Sequence, residues 1–123
     1  GVPSCASTWL LRDVLRGAWG LDGYVTSDSG AVEDIYANHG YTSSAVEGVA
    51  SAVLAGTDID SSLDHGVHDT GSPYTWNLTA AVRRGLVTEA DVDTLLRRSL
   101  RMRFELGLFD AAEGQPYWHV PPE

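Results

Sequence analysis

Two short β-forming runs, "GYVTS" (23–27) and "TDID" (57–60), are separated by a stretch with helical periodicity, and this alternation constrains the fold more than any other feature. Extended segments joined by a helix-bearing connection of roughly thirty residues form a βαβ unit, whose right-handed crossover makes the strands parallel. Parallel strands are covered on both faces and need neighbours. Two such strands make no stable sheet alone, and a closed barrel of these units takes about 250 residues. A chain of 123 residues is therefore expected to be part of a larger α/β domain. Its start at Gly1 rather than Met, with no signal peptide, points equally to a processed chain or an excised piece.

Around the two runs, helix signals are plain. Ser7 is placed to cap a helix whose apolar positions are Leu10, Leu11, Val14 and Leu15, with Gly17 near its end. After the first run a helix begins close to Asp28, and a polar stretch, "YANHGYTSS", follows. Val46, Val49, Ala50, Val53 and Leu54 then recur at helical spacing from about Ser44, and Gly56 stops them. The segment 61–74 reads as a long loop, followed by a helix from about Leu78 to Arg84 closed by Gly85. Thr88 and Asp91 form a T-x-x-D start for a last helix reaching about Leu106, with Gly107 behind it. Residues 111–123 look like an irregular tail or linker. Trp9 and Trp19 border the first apolar helix and are expected in the core, while Trp76 and Trp118 remain candidates for stacking on sugars.

Composition removes several classes of function. Eight arginines and no lysine stand against seventeen acidic residues, for a net charge of −9, which repels nucleic acid and anionic membrane surfaces. No apolar run is long enough to cross a bilayer. The single cysteine, Cys5, excludes an internal disulfide and a multi-cysteine zinc site. No phosphate-binding G-x-x-x-x-G-K run is present. His65, His68 and Asp69 carry possible metal ligands, but Gly66 and the surrounding turn formers favour a solvated loop, and neither metal nor cofactor is expected. The sequon Asn77-Leu78-Thr79 falls at a helix start.

In parallel α/β folds the chemistry gathers where strands end. Asp28 follows the first run, and Asp58 and Asp60 lie in or just after the second, so the three carboxylates could share one cleft. Asp28 itself, in "LDGYVTSDSGAVEDI" (21–35), reads three ways: helix cap, metal ligand or nucleophile. Ser27 and Ser29 flank it, but the G-x-S-x-G elbow of a serine hydrolase is missing.

Four blocks in register resemble family 3 glycoside hydrolases: "GVPSCAS", "LLRDVLRGAWGLDGYVTSDSGAVEDI", "AGTDIDSS" and "AVRRGLVTEADVDTLLRRSLRMRFELGLFD". The resemblance spans residues 1 to about 110. It implies the last strands and helices of a (β/α)8 TIM-like barrel, with the rest of the barrel upstream and a further domain downstream as partners. It assigns Asp28 the role of nucleophile in a retaining exo-β-glycosidase, with Ser29 beside it at the sugar. Many glucosidase members carry Trp at the position of Ser29. Xylosidase-like members often carry Cys there and at the position of Ser61, where this chain has serine twice. "NHGY" (38–41) is similar to the N-H-x-Y of the xylosidase-like branch, which favours a β-xyloside over a β-glucoside or N-acetylglucosaminide. The family's sugar-gripping Lys-His pair and its acid/base carboxylate are not identifiable here. The isolated chain is accordingly expected to be inactive, and a non-catalytic binding module stays open as an alternative. Secretion is implied by the resemblance alone. If the chain stands alone, bare apolar helix faces are expected as well.

Overall fold

The computed structural model describes residues 1–62 and 71–121. After a 3-10 turn at Ser4–Ala6 come α1 (Trp9–Ala18), α2 (Ala31–Ala37), α3 (Ala45–Ala55), α4 (Pro73–Arg83) and α5 (Glu89–Glu105). Between α1 and α2, and again after α3, the backbone is extended, and the two stretches meet in one parallel bridge, Thr26 to Ile59. Ser27 N–H donates to the Ile59 carbonyl at 2.8 Å, and the N–H groups of Asp58 and Ile59 both donate to the Val25 carbonyl. The parallel register agrees with the sequence reading; the length does not. Neither 23–27 nor 57–60 forms a regular strand among the described residues, because each has only the other to pair with.

Helix α3 is the spine of the core. Val49, Ala52, Val53 and Ala55 are fully buried, and Val32 and Ile35 of α2, Ala81 of α4, and Val87 and Leu95 pack in the same cluster. Ser44 caps α3 through the Glu47 N–H, and Gly56 ends it at φ 102°, as its sequence signals require. Small residues on α3 let the neighbouring elements come close. A Cβ on Gly48 would lie 2.7 Å from Tyr36 Cδ1 and 3.2 Å from Thr42 Oγ1. Gly48→Ala is therefore expected to destabilise the chain by about 1–3 kcal/mol, read as a lower urea midpoint. An unchanged midpoint would show that Tyr36 yields freely.

Three helix readings needed revision. Helix α1 is wound in the wider π form, with Trp19 N–H bonded to the Val14 carbonyl at 2.9 Å; Thr8 holds the N-cap position without a side-chain bond, and Ser7 Oγ, one residue earlier, accepts from Leu10 N–H. Helix α2 begins at Ala31, close after Asp28 as the sequence reading has it, and runs to Ala37, into the stretch read as polar. Helix α4 starts at Pro73 rather than Leu78, because Ser72 caps it and Pro73 supplies a preset first turn. Trp9 and Trp19 are not core: they are 67% and 74% exposed. Leu11 is the α1 residue that turns inward, and Trp9, two positions away, lies on the other side of the helix.

The capping box of α5 forms as expected. Asp91 accepts from the Thr88 N–H and hydroxyl, which hold its carboxyl below the usual aspartate range, and Thr88 accepts from the Asp91 N–H. A depressed carboxyl contributes stability above its unfolded pKa and loses it as pH falls through the folded value. Thr88→Ala should therefore cost about 1 kcal/mol at neutral pH and progressively less below pH about 4, measured by denaturation at several pH values. A cost independent of pH would remove the carboxylate from the cap.

The expected bare faces are present. Leu96, Leu100 and Phe104 recur every four residues along α5 and are all exposed, and Phe104 stacks on Phe109 with centroids 4.5 Å apart. No helix among the described residues is long and apolar enough to cross a membrane.

Candidate active site

The bridge at Thr26 and Ile59 sets two loops side by side, and side chains then lock them together. Ser61 Oγ donates to the Ser27 carbonyl at 2.5 Å, and Ser61 N–H donates to Ser27 Oγ at 3.1 Å. Gly30 N–H reaches Ser62 Oγ at 3.3 Å, and Ser29 Oγ reaches the Ser61 carbonyl at 3.5 Å. The two positions where the resembling xylosidases often carry cysteine are thus neighbours here, joined by a long hydrogen bond between serine and backbone.

Asp60 gathers this serine cluster. Its Oδ1 accepts from Ser27 Oγ at 3.3 Å and Ser62 Oγ at 2.7 Å, and its Oδ2 accepts from Ser72 Oγ at 2.6 Å. Asp60 therefore pins the residue before Asp28 to the start of α4.

Asp58 faces elsewhere. Its side chain is fully buried, and three donors surround it: Arg16 Nη2 at 2.6 Å, Arg98 Nη1 at 3.0 Å and Val25 N–H at 2.8 Å. Arg16 also donates to the Gly23 carbonyl at 2.8 Å. This cluster joins α1, the segment leading to Asp28, and α5. The expectation that Asp28, Asp58 and Asp60 share one cleft is corrected accordingly: Asp58 is consumed by two guanidinium groups, and Asp60 by serine hydroxyls.

Asp28 is the carboxylate left facing outward. It is exposed, and one oxygen, Oδ1, accepts from the Ser29 N–H at 2.8 Å. Its main-chain carbonyl accepts from Ala31 N–H at 3.1 Å. Its side chain does not cap α2; that place belongs to Gly30, at φ 78°. Nor do the flanking hydroxyls serve Asp28, since Ser27 Oγ goes to Asp60 and Ser29 Oγ to Ser61. The donor comes from the main chain instead.

A cavity of about 360 Å³ opens beside this carboxylate, lined by Asp28, Ser27, Val25, Cys5, Leu11 and Thr57 among others. Burial pushes the Cys5 thiol up, outweighing the hydrogen bond from Thr57, and the carboxylates of Asp60 and Asp28 push it further. The thiol therefore stays protonated and is no nucleophile. Thr57 is fully buried and fixes the floor: its hydroxyl donates to the Cys5 carbonyl at 2.9 Å, and its carbonyl accepts from Tyr74 Oη at 2.7 Å. Burial raises the Tyr74 phenol well above its usual value, so it too stays protonated as a donor.

His65, His68 and Asp69 lie outside the described residues. Among the described residues no three histidine, cysteine or acidic side chains gather as a metal site would need. Asn77 donates to the Pro73 carbonyl at 3.0 Å within α4, and Trp76 and Trp118 are exposed away from the Asp28 cavity lining. Arg16, Arg98 and Ser72 escaped the sequence reading. Arg16 directly follows Val14 and Leu15, and Arg98 lies one turn beyond Leu95, so both cations border apolar helix faces. That placement was their signal.

A family model described as the N-terminal domain of glycosyl hydrolase family 3 matches residues 1–102. A xylan 1,4-β-xylosidase of Xylanibacter ruminicola is 44% identical over 108 residues, covering 88% of this chain and 12% of that protein. Among solved structures, a family 3 exo-β-xylosidase in complex with a xylobiose aziridine activity-based probe superposes with a TM-score of 0.80 at 34% identity. The match covers 96% of this chain and 14% of that one. A β-glucosidase from Listeria innocua in complex with isofagomine gives a TM-score of 0.79 at 30% identity, over 99% of this chain and 15% of its own. The chain thus spans 15% or less of the length of each of these relatives.

Proposed function

This chain belongs to glycosyl hydrolase family 3, and on that premise we propose that it is the nucleophile-bearing part of a retaining exo-β-glycosidase acting on β-xylosides. In this reading it supplies the last units of a (β/α)8 barrel. The observation that carries it is the placing of Asp28: an exposed carboxylate at the end of an extended segment, one oxygen held by the Ser29 N–H, beside an open cavity.

In a double displacement the nucleophile must be ionised, aimed and uncrowded. The Ser29 N–H favours the charged form and fixes the rotamer, leaving the second oxygen to attack the anomeric carbon. A glycosyl ester forms on Asp28 as the bond to the leaving oxygen breaks. A second carboxyl, about 5–5.5 Å away in retaining enzymes, protonates that oxygen and then activates water. We assign this acid/base to chain beyond these residues, so the isolated 123 residues should barely turn over an aryl xyloside. Ser29 is placed in the same proposal at the edge of the sugar. The preference for xylose rests on "NHGY", on the absence of Trp after Asp28, and on the names of the relatives; the structural likeness to a β-glucosidase favours glucose as the second reading.

The test is covalent trapping in the protein that contains this segment together with its remainder. A 2-deoxy-2-fluoro-β-xyloside with an activated leaving group should label the peptide holding Asp28, and the matching glucoside should label it more slowly. Label on a different carboxylate would remove Asp28 from the role. Faster labelling by the glucoside would transfer the specificity to glucose.

A further inference from the structure

Away from Asp28, three of the eight arginines line one half-enclosed cavity of about 390 Å³: Arg12 and Arg16 from α1, and Arg98 from α5 together with Asp91 and Thr94 of the same helix. We propose that this cavity is a binding site for a small oxyanion of the phosphate or sulfate kind, separate from the glycoside cleft.

The argument begins with charge. Three guanidinium groups face one carboxylate in the lining, and Asp91 turns its Oδ2 to the Thr88 N–H at 2.8 Å and hydroxyl at 2.6 Å. Asp58 neutralises one positive charge from behind, through Arg16 and Arg98 together. A positive excess remains within a chain whose net charge is −9.

Burial makes that excess costly. The side chain of Arg16 is 13% exposed. Loss of solvent pulls the Arg16 guanidinium below its usual value, and the like charge of Arg98 adds to this against the attraction of Asp58. An oxyanion in the cavity relieves the repulsion and offers acceptors to guanidinium forks whose planar geometry suits it. The walls come from two helices already tied through Asp58, so the donors are held in place before the anion arrives.

The test uses the protein that carries this segment with its remainder and inorganic phosphate, titrated at constant ionic strength against sodium chloride and followed by amide NMR. Saturable shifts are expected around Arg12 and Arg16 on α1 and around Asp91 to Arg98 on α5. Arg12→Gln removes an exposed cation that makes no contact with Asp58, and it should weaken phosphate binding by roughly tenfold or more. Arg83→Gln, on α4, should leave the affinity unchanged. The unfolding midpoint gives a second readout: phosphate should raise it in the parent chain and in Arg83→Gln, and not in Arg12→Gln. Shifts reproduced by chloride alone, or a midpoint that rises equally in Arg12→Gln, would overturn the proposal. Neither result bears on Asp28, which the trapping experiment addresses separately.

Discussion

Asp28→Ala, made in the protein that carries this segment with its remainder, is expected to lower kcat/KM for an aryl β-xyloside by roughly 10⁴-fold or more. That corresponds to about 5.5 kcal/mol of barrier. The loss should be purely chemical. Asp28 is exposed and its carboxylate receives one local hydrogen bond, from Ser29 N–H, so truncation should move stability by no more than about 0.5 kcal/mol. Removing the side chain also leaves space beside the anomeric carbon. Formate or azide should then restore part of the rate by attacking in its place, with azide giving a glycosyl azide of inverted configuration. Asp28→Asn, which keeps the shape but not the charge, should be similarly inactive while still binding substrate. Retention of activity within tenfold in Asp28→Ala would sink the assignment.

The second large effect is structural. Asp58→Ala should cost about 3–5 kcal/mol, because it leaves Arg16 and Arg98 partly buried without their shared counter-charge and strips the Val25 N–H of its acceptor. Against a typical domain stability of about 5–15 kcal/mol, that is a large fraction. A thermal midpoint lower by about 10 °C or more is the expected reading. The contrast with Asp28 is the useful part: two aspartates thirty residues apart in sequence, one removable without structural loss and one not. Asp58→Ala unfolding at the parent midpoint would mean that solvent reaches both arginines and screens them.

Much of this division was hidden in the sequence, for physical reasons. Local signals held wherever a short-range rule governs: Ser44 and Gly56 bound α3, Thr88 and Asp91 open α5, and the parallel relation of 25–27 to 57–59 followed from the helix between them. The place of Asp28, just after the first extended run, was legible in the sequence, while its proposed role rests on the resemblance. Asp58 was not separable from Asp60, since two residues of the same type two positions apart differ only in what long-range packing brings to them. Arg16 approaches Asp58 across 42 residues and Arg98 across 40, and their placement beside apolar helix faces marks the cations without naming the partner they share. Trp9 misled because the apolar character of an aromatic says nothing about which side of the helix it occupies.

The Asp58 cluster also orders events during synthesis. Its two arginines lie on opposite sides of it in the chain, so Arg16 is available as soon as Asp58 is made, while Arg98 follows 40 residues later. At translation rates of roughly 5–20 residues per second, that gap lasts about 2–8 s. Throughout it Asp58 has a single cationic partner and α5 does not yet exist to cover it. The loop bearing Asp28 is thus anchored last from the C-terminal side, and a ribosome pause before Arg98 would hold the nascent chain with its central carboxylate half-neutralised and open to water.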